Sequence, residues 1–390
     1  MSAPVSGIQP SLLRWARQSA NMPVSDVAEK LKRTVAEIES WETGESAPSY
    51  PQLEKLAYEL YKRPLATFFL PAPPDEPSTR AEFRSLPDED LATLNRDTLF
   101  LIRKARAFQF ALQELFGERS PAERPIWRSV QLAVSQPVAR QAGQIREALG
   151  ISIDQQRAWQ DDDTALKQWR RAIEARGVFV FKHTFKQREI SGFCLASAEF
   201  PVIMVNNSTT KTRQIFSLLH ELAHVLFMRN GISAFDETRI DGLPLQDRTI
   251  ERFCNAIAAE VLVPMADIRA QIRGLAGNLE NAGEDQFAAL AKRYHVSRAV
   301  VLRRMLDDER VSSAFYRTKT LEWDAQKENG GSGGNYHATQ NAYLSERFLK
   351  EVFARYARRQ ISRDDVADFI DIKPKNVEKL QDLVLRGAAA

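Results

Sequence analysis

The sequence predicts a mainly α fold with a small β-sheet (α+β), and three observations carry that expectation. Apolar residues recur at three- and four-residue spacing through most of the 390 residues, the period of helices that bury one face. Three short apolar or alternating runs, VFVFK, ISGFCLA and PVIMVN, lie between Gly177 and Asn207 and are bounded by polar residues, the pattern of a three-stranded sheet. Directly after them, Ser208 to Phe227 reads STTKTRQIFSLLHELAHVLF, a helix apolar almost all round and therefore interior. Composition and spacing divide the chain into 1–70, 71–164, 165–310, 311–335 and 336–390.

The overall composition, 44% hydrophobic and 27% charged, is that of an ordinary soluble globular protein. A net charge of +3 from 54 basic and 51 acidic residues lacks the excess of a strongly basic nucleic-acid binder. No apolar run reaches the roughly 18–20 residues of a membrane helix, and no basic-then-apolar leader opens the chain; the expectation is a cytoplasmic protein with no membrane partner. Cys194 and Cys254 lie inside apolar segments and read as buried free thiols.

Pro10 to Leu70 is a bundle of short helices with Ser25 and Thr34 as N-caps and Gly44 as a stop. The run IESWETGESAP (Ile38 to Pro48) resembles the signature of Cro/repressor-like, XRE-type helix-turn-helix domains. That resemblance implies that Ile38 and Trp41 are core and that Thr34, Val35, Ala36, Glu37 and Ser40 are the candidate DNA-facing positions. Val35, Ala36, Glu37 and Glu39 are poor base readers, and Met1 to Pro64 holds eight basic against eight acidic residues. Phosphate neutralisation supplies most non-specific affinity, so weak DNA binding is expected, with a protein-interaction or dimerisation role as the alternative.

Pro71 to Asp90 is proline-rich and reads as a semi-rigid linker. Leu91 to Gly117 and Pro137 to Leu149 show helical spacing without a chemical motif. The next region opens with the helix ALKQWRRAIEARG, stopping at Gly177. The sheet that follows would offer an extended substrate an edge to pair with, and His183 and Arg188, near its first strand, stand either as carbonyl-polarising groups or as loop residues.

Within the apolar helix stand His220, Glu221 and His224, an HExxH motif. Residues four apart on a helix lie about 5–6 Å apart at Cβ, so both imidazoles can converge on one ion, as tetrahedral zinc requires. Glu221 sits beside the ion and not on it, where it can take a proton from water. A hydrogen-bonded core histidine is the commoner fate of a histidine on an apolar face. Two histidines and a glutamate buried together, however, are costly unless something satisfies them.

A third ligand must come from elsewhere, and TIERFCNAIAAEVLVP (Thr249 to Pro264) offers Glu251 and Glu260. Nine residues at about 100° each put these on opposite sides of a helix, so only one can reach the ion. Glu251 shares a face with Asn255, Ala258 and Leu262, and Asn255 is the candidate second-layer partner of a ligand. Geometry leaves both glutamates open.

RQIFSLLHELAHVLF followed by ERFCNAIAAEVLVP resembles the ImmA/IrrE family of zinc metallopeptidases, whose pattern is R..F.L.HE.GH, then E..AN.FA..LL.P. The resemblance covers roughly Ala165 to Asp307. It implies Zn²⁺ held by His220, His224 and Glu251, with Glu221 as general base. Ala223 stands where glycine is usual in the family and Cys254 where alanine is usual, and neither position is an expected ligand.

Asp285 to Asp307 reads as helix, turn at His295, N-cap at Ser297 and helix, with His295 structural. Residues 311–335, ending in NGGSGGN, read as a flexible connector. The last region holds a basic helix carrying Arg347, Lys350, Arg355, Arg358 and Arg359, then a helix-turn-helix-like segment with Ile372 in the turn. The basic helix suits a solvated face, or an acidic partner or nucleic acid.

Two functions follow as expectations. One is a zinc endopeptidase that cuts a repressor or antitoxin-like protein, the substrate class implied by the family when joined to XRE-type modules. The other is a DNA-binding regulator, or an antitoxin that binds a neighbouring toxin, with zinc holding the fold. An intact Glu221 favours the enzyme, because a purely structural site has no use for a base.

Overall fold

The computed structural model describes residues 3–76, 79, 83, 91, 93–187, 189–234, 240, 243–273, 279–325 and 343–388. The chain forms two compact units, Met1–Lys104 with Phe185–Gln187, and Ala105–Thr184 with Arg188–Ala390. No helix among the described residues is long and apolar enough to cross a membrane.

In the first unit, helices Pro10–Ser19, Val24–Leu31 and Val35–Thr43 precede Tyr50–Glu54, which continues as a π-helical Lys55–Tyr61. Leu12, Leu13, Ile38, Trp41, Leu56 and Phe68 fill its core. Helix Val35–Thr43 begins on a capping box, with Thr34 Oγ1 accepting from the Glu37 amide at 3.2 Å and Glu37 Oε2 accepting from the Thr34 amide at 3.1 Å. It ends at Gly44, whose φ of 87° is the left-handed conformation that glycine adopts freely. Ser25 is not a cap: Pro23 takes that position and Ser25 lies in the first turn. Arg17 grips Glu42 through two hydrogen bonds of 2.7 and 2.9 Å, tying the first helix to the third.

The second unit is built on one sheet with strands β1 (Phe179–His183), β2 (Ile190–Leu195), β3 (Val202–Asn206) and β4 (Gly231–Ala234), in the order β1-β3-β2-β4. β1 runs parallel to β3, and β2 is antiparallel to β3 and to β4. The sheet therefore has four strands where the sequence pattern leads one to expect three. The fourth is the four-residue GISA, whose glycine, serine and alanine carry little β preference. Strands β2 and β3 are buried along their whole length, which is why they read as nearly continuous apolar runs.

Helices Asp162–Ala175 and Lys211–Leu226 pack on this sheet, and Leu245–Leu262 packs against Lys211–Leu226 from the other side. His295 forms the turn between helices Glu284–Tyr294 and Arg298–Asp307 with φ 56°, and its Nδ1 pairs with Asp162 Oδ1 at 2.8 Å, a structural role. Where the connector was expected, Ser313–Ala325 is helical; residues 326–342 lie outside the described residues, as do most of the expected linker and Arg188.

The basic helix Glu346–Ala357 uses internally two of the five basic residues from Arg347 to Arg359. Arg347 donates to the carbonyls of Glu174 at 3.0 Å and Pro121 at 2.5 Å, and Arg355 donates to the carbonyl of Leu115. The carbonyls of Glu174 and Leu115 lie in the last turns of their helices, where no partner within the helix is available, and that of Pro121 lies in a loop. Lys350, Arg358 and Arg359 are exposed, as a solvated face has them.

Candidate metal centre

The helix Lys211–Leu226 starts where the Thr210 hydroxyl accepts from the Arg213 amide at 3.3 Å. From Ser217 to Leu226 every residue is buried, so its two imidazoles and one carboxylate have left water. Burying such groups is tolerable only when each finds a partner. The neighbouring helix Leu245–Leu262 supplies one by bringing Glu251 between the rings. Glu251 Oε2 lies 3.3 Å from His220 Nε2, Oε1 lies 3.2 Å from His224 Nε2, and the two Nε2 atoms are 3.0 Å apart. These are the three residues among those described whose donor atoms converge as a metal site, all within 4.8 Å of one another.

The surroundings aim those atoms. His220 Nδ1 pairs with Asn255 Oδ1 at 2.8 Å, so the ring donates backward and offers Nε2 to the site, the usual role of a second-layer acceptor. Gly231 backs onto the other ring, where a Cβ would fall 2.8 Å from two carbons of His224. Burial works against the charge of Glu251, yet the imidazoles of His224 and His220 hold its carboxyl well below the usual carboxylate range.

Glu221 is different. Its Oε1 accepts from the Ser233 hydroxyl at 2.5 Å, while its Oε2 is buried with no hydrogen-bond partner among the described residues. Burial is the main cause that raises its pKa, against the pull of His224 and His220. Glu260 points elsewhere: it accepts from the Met265 amide at 3.1 Å and pairs with Arg304. Of the two glutamates that spacing left open, the structure brings only Glu251 to the histidines.

This geometry sits within a segment that other proteins share. Residues 173–306 match the IrrE N-terminal-like domain, Peptidase_M78. The matched span contains all four strands and both motif helices, and it supports the ImmA/IrrE resemblance and, at the level of family, a peptidase. No curated protein matches the chain.

Other candidate residues lie outside the triad. Cys194 and Cys254 are free and buried, and burial raises both thiols, holding them protonated. His183 is half-buried and pairs through Nδ1 with its neighbour's carbonyl, Thr184 O, at 3.0 Å; it is not part of the converging group. Ser233 is a functional candidate that the sequence does not announce, since a serine in a short run next to a glycine carries no signal of its own. The five candidate DNA-facing residues stay in the first unit, and three are engaged locally: Thr34 and Glu37 with each other, and Ser40 with Ser46 at 2.6 Å.

Proposed function

We propose that this chain is a zinc-dependent endopeptidase of a regulatory system, cutting a repressor- or antitoxin-like protein. The observation that carries the reading is Glu221 Oε2, a buried acceptor without a hydrogen-bond partner among the described residues, beside two imidazoles and a carboxylate. A closed structural site would leave no such atom unsatisfied. His220, His224 and Glu251 fit zinc by donor type and by number, three protein ligands being the mark of a catalytic site. Zinc bound there would supply a Lewis acid and a water whose pKa falls towards about 7.

The protein's own part follows from its contacts. Glu221 stands ready to accept a proton at Oε2 while Oε1 is held by Ser233. Asn255 keeps His220 in one tautomer and one orientation. The dry surroundings strengthen each of these interactions. The substrate class rests on the ImmA/IrrE resemblance, and the regulatory setting on the three helix-turn-helix-like stretches of the sequence.

Metal analysis and cleavage assays test the reading together. Zinc should bind once per chain and be lost in His220→Ala, His224→Ala and Glu251→Ala. Glu221→Gln should keep zinc while cleavage of the small repressor or antitoxin encoded beside it falls by roughly 10²–10⁴-fold. Loss of zinc from Glu221→Gln would make that residue a ligand and end the mechanism. Tight binding of a neighbouring toxin, undiminished in Glu221→Gln and without cleavage, would favour the antitoxin reading instead.

A further inference from the structure

Strand β4 meets the HExxH helix at two points. Alternate strand residues share a face, so Gly231 and Ser233 both look toward the helix, and they meet His224 and Glu221, residues one helical turn apart. The first contact is a close approach that only glycine permits; the second is the 2.5 Å hydrogen bond from the Ser233 hydroxyl to Glu221 Oε1.

The partner strand is shaped to the same end. Pairing of β2 with β4 slips between Ile190 and Gly192, leaving Ser191 as an extra residue in a bulge. Bulges next to active sites commonly re-aim a side chain. Here the Ser191 hydroxyl donates to the Ser233 carbonyl at 3.1 Å, and both serines are buried. The next residue, Gly192, lies against the base: a Cβ there would be in ordinary contact with Glu221 Cγ and Oε1 at 3.6 Å, and it is the Met204 carbonyl, at 2.9 Å, that excludes one. One buried hydroxyl thus reaches the carboxylate and a second, in the bulge, holds the backbone of the first, although apolar side chains would fill the space without the cost of burying polar groups.

We infer that Ser233, itself held by Ser191, is a positioning residue for Glu221. By occupying Oε1 it fixes the plane of the carboxylate and leaves Oε2 as the oxygen that takes the proton from the attacking water. The inference rests on the peptidase reading above. A carboxylate free to turn about its last torsion spends part of its time misaimed, and misplacement on the order of 1 Å can cost about 10²-fold in rate.

The test uses the zinc-loaded full chain with three readouts: zinc content, steady-state cleavage of fluorescein-labelled casein, and calorimetric binding of acetohydroxamate, a zinc-binding group that passes a proton to a correctly placed base. Ser233→Ala should lower kcat by roughly ten- to a hundredfold with KM and zinc content unchanged, and should weaken acetohydroxamate binding in step. Ser233→Thr, which keeps the hydroxyl, should recover most of both. Wild-type kcat and hydroxamate affinity in Ser233→Ala would overturn the inference, as would equal losses in Ser233→Ala and Ser233→Thr, which would mark a packing role. Should Ser233→Ala not fold, Ser191→Ala decides: a smaller loss of kcat supports the inference, and none overturns it. If wild type and Glu221→Gln are equally inert toward casein, the peptidase reading loses its support, while the hydroxamate arm still decides the positioning of Glu221.

Discussion

Single side chains in the second unit make two sharp expectations. At Gly231 an added methyl would meet the His224 ring at 2.8 Å, closer than carbon atoms rest, so Gly231→Ala must push the ring or the strand. Zinc affinity should fall by roughly 10–100-fold, the scale seen when the support of a metal ligand is disturbed, measured by chelator competition; unchanged affinity would refute the crowding argument. Lys182 is 9% exposed on β1, and burial, helped by Arg170 and Lys211 against Asp163, lowers its pKa to about 7. Between that value and its ordinary 10.5 the unfolded chain binds a proton that the folded chain does not, so this residue makes stability rise with pH across that window. Lys182→Met should therefore be more stable than wild type near pH 6–7 by a few kcal/mol, since each tenfold loss of proton affinity on folding costs about 1.4 kcal/mol. The advantage should shrink toward pH 10, and urea midpoints at three pH values check it. A lysine among VFVFK was visible in the sequence, but its burial was not, because only the packed helices around β1 remove it from water. His220, Glu221 and His224 were legible because one helix carries all three at fixed spacing. Ser233 and Gly231 were not, since their meaning depends on a strand that pairs forty residues back.

Whole elements show the same division. The helix Leu245–Leu262 was legible as a helix, and its opposite-facing glutamates followed from its period. What spacing left open was the partner of each face, which packing decides: Glu251 meets the histidines, and Glu260 meets Arg304, whose Nε also donates to the Val263 carbonyl at 3.0 Å. Both members of the Glu260 pair are buried. Removing one partner of such a pair strands the other charge and costs about 3–5 kcal/mol. Glu260→Ala should accordingly lower the urea midpoint strongly while the folded fraction keeps its zinc, and a folded variant that lost zinc would reverse the assignment of the two glutamates. Helix Glu346–Ala357 was legible by period, yet the use of its arginines was not. A basic face is the same string of residues whether it meets solvent, phosphate or the carbonyl ends of other helices, and only the neighbours distinguish these.

At the scale of the molecule, the two compact units pose separate questions, and the first concerns DNA. Its candidate reading positions divide into polar residues already paired within the unit, Thr34, Glu37 and Ser40, and exposed small or apolar ones, Val35 and Ala36. Sequence-specific readers usually present donors to base edges and cations to phosphates. The eight basic residues from Met1 to Pro64 are matched by eight acidic ones, and Arg17 is committed to Glu42. Each phosphate contact contributes about 0.9 to the slope of log affinity against log salt, so few available cations mean both a weak and a shallow dependence. The full chain should therefore bind duplex DNA from its own locus no tighter than about micromolar at physiological salt, the range of non-specific association, with a slope of no more than about 2–3. Fluorescence anisotropy across a salt series measures both quantities at once. Sub-micromolar, sequence-selective binding with a steep slope would return the unit to DNA recognition, whereas the expected shallow slope leaves its exposed residues, Val35, Tyr50, Tyr58 and Phe69 among them, to a protein partner.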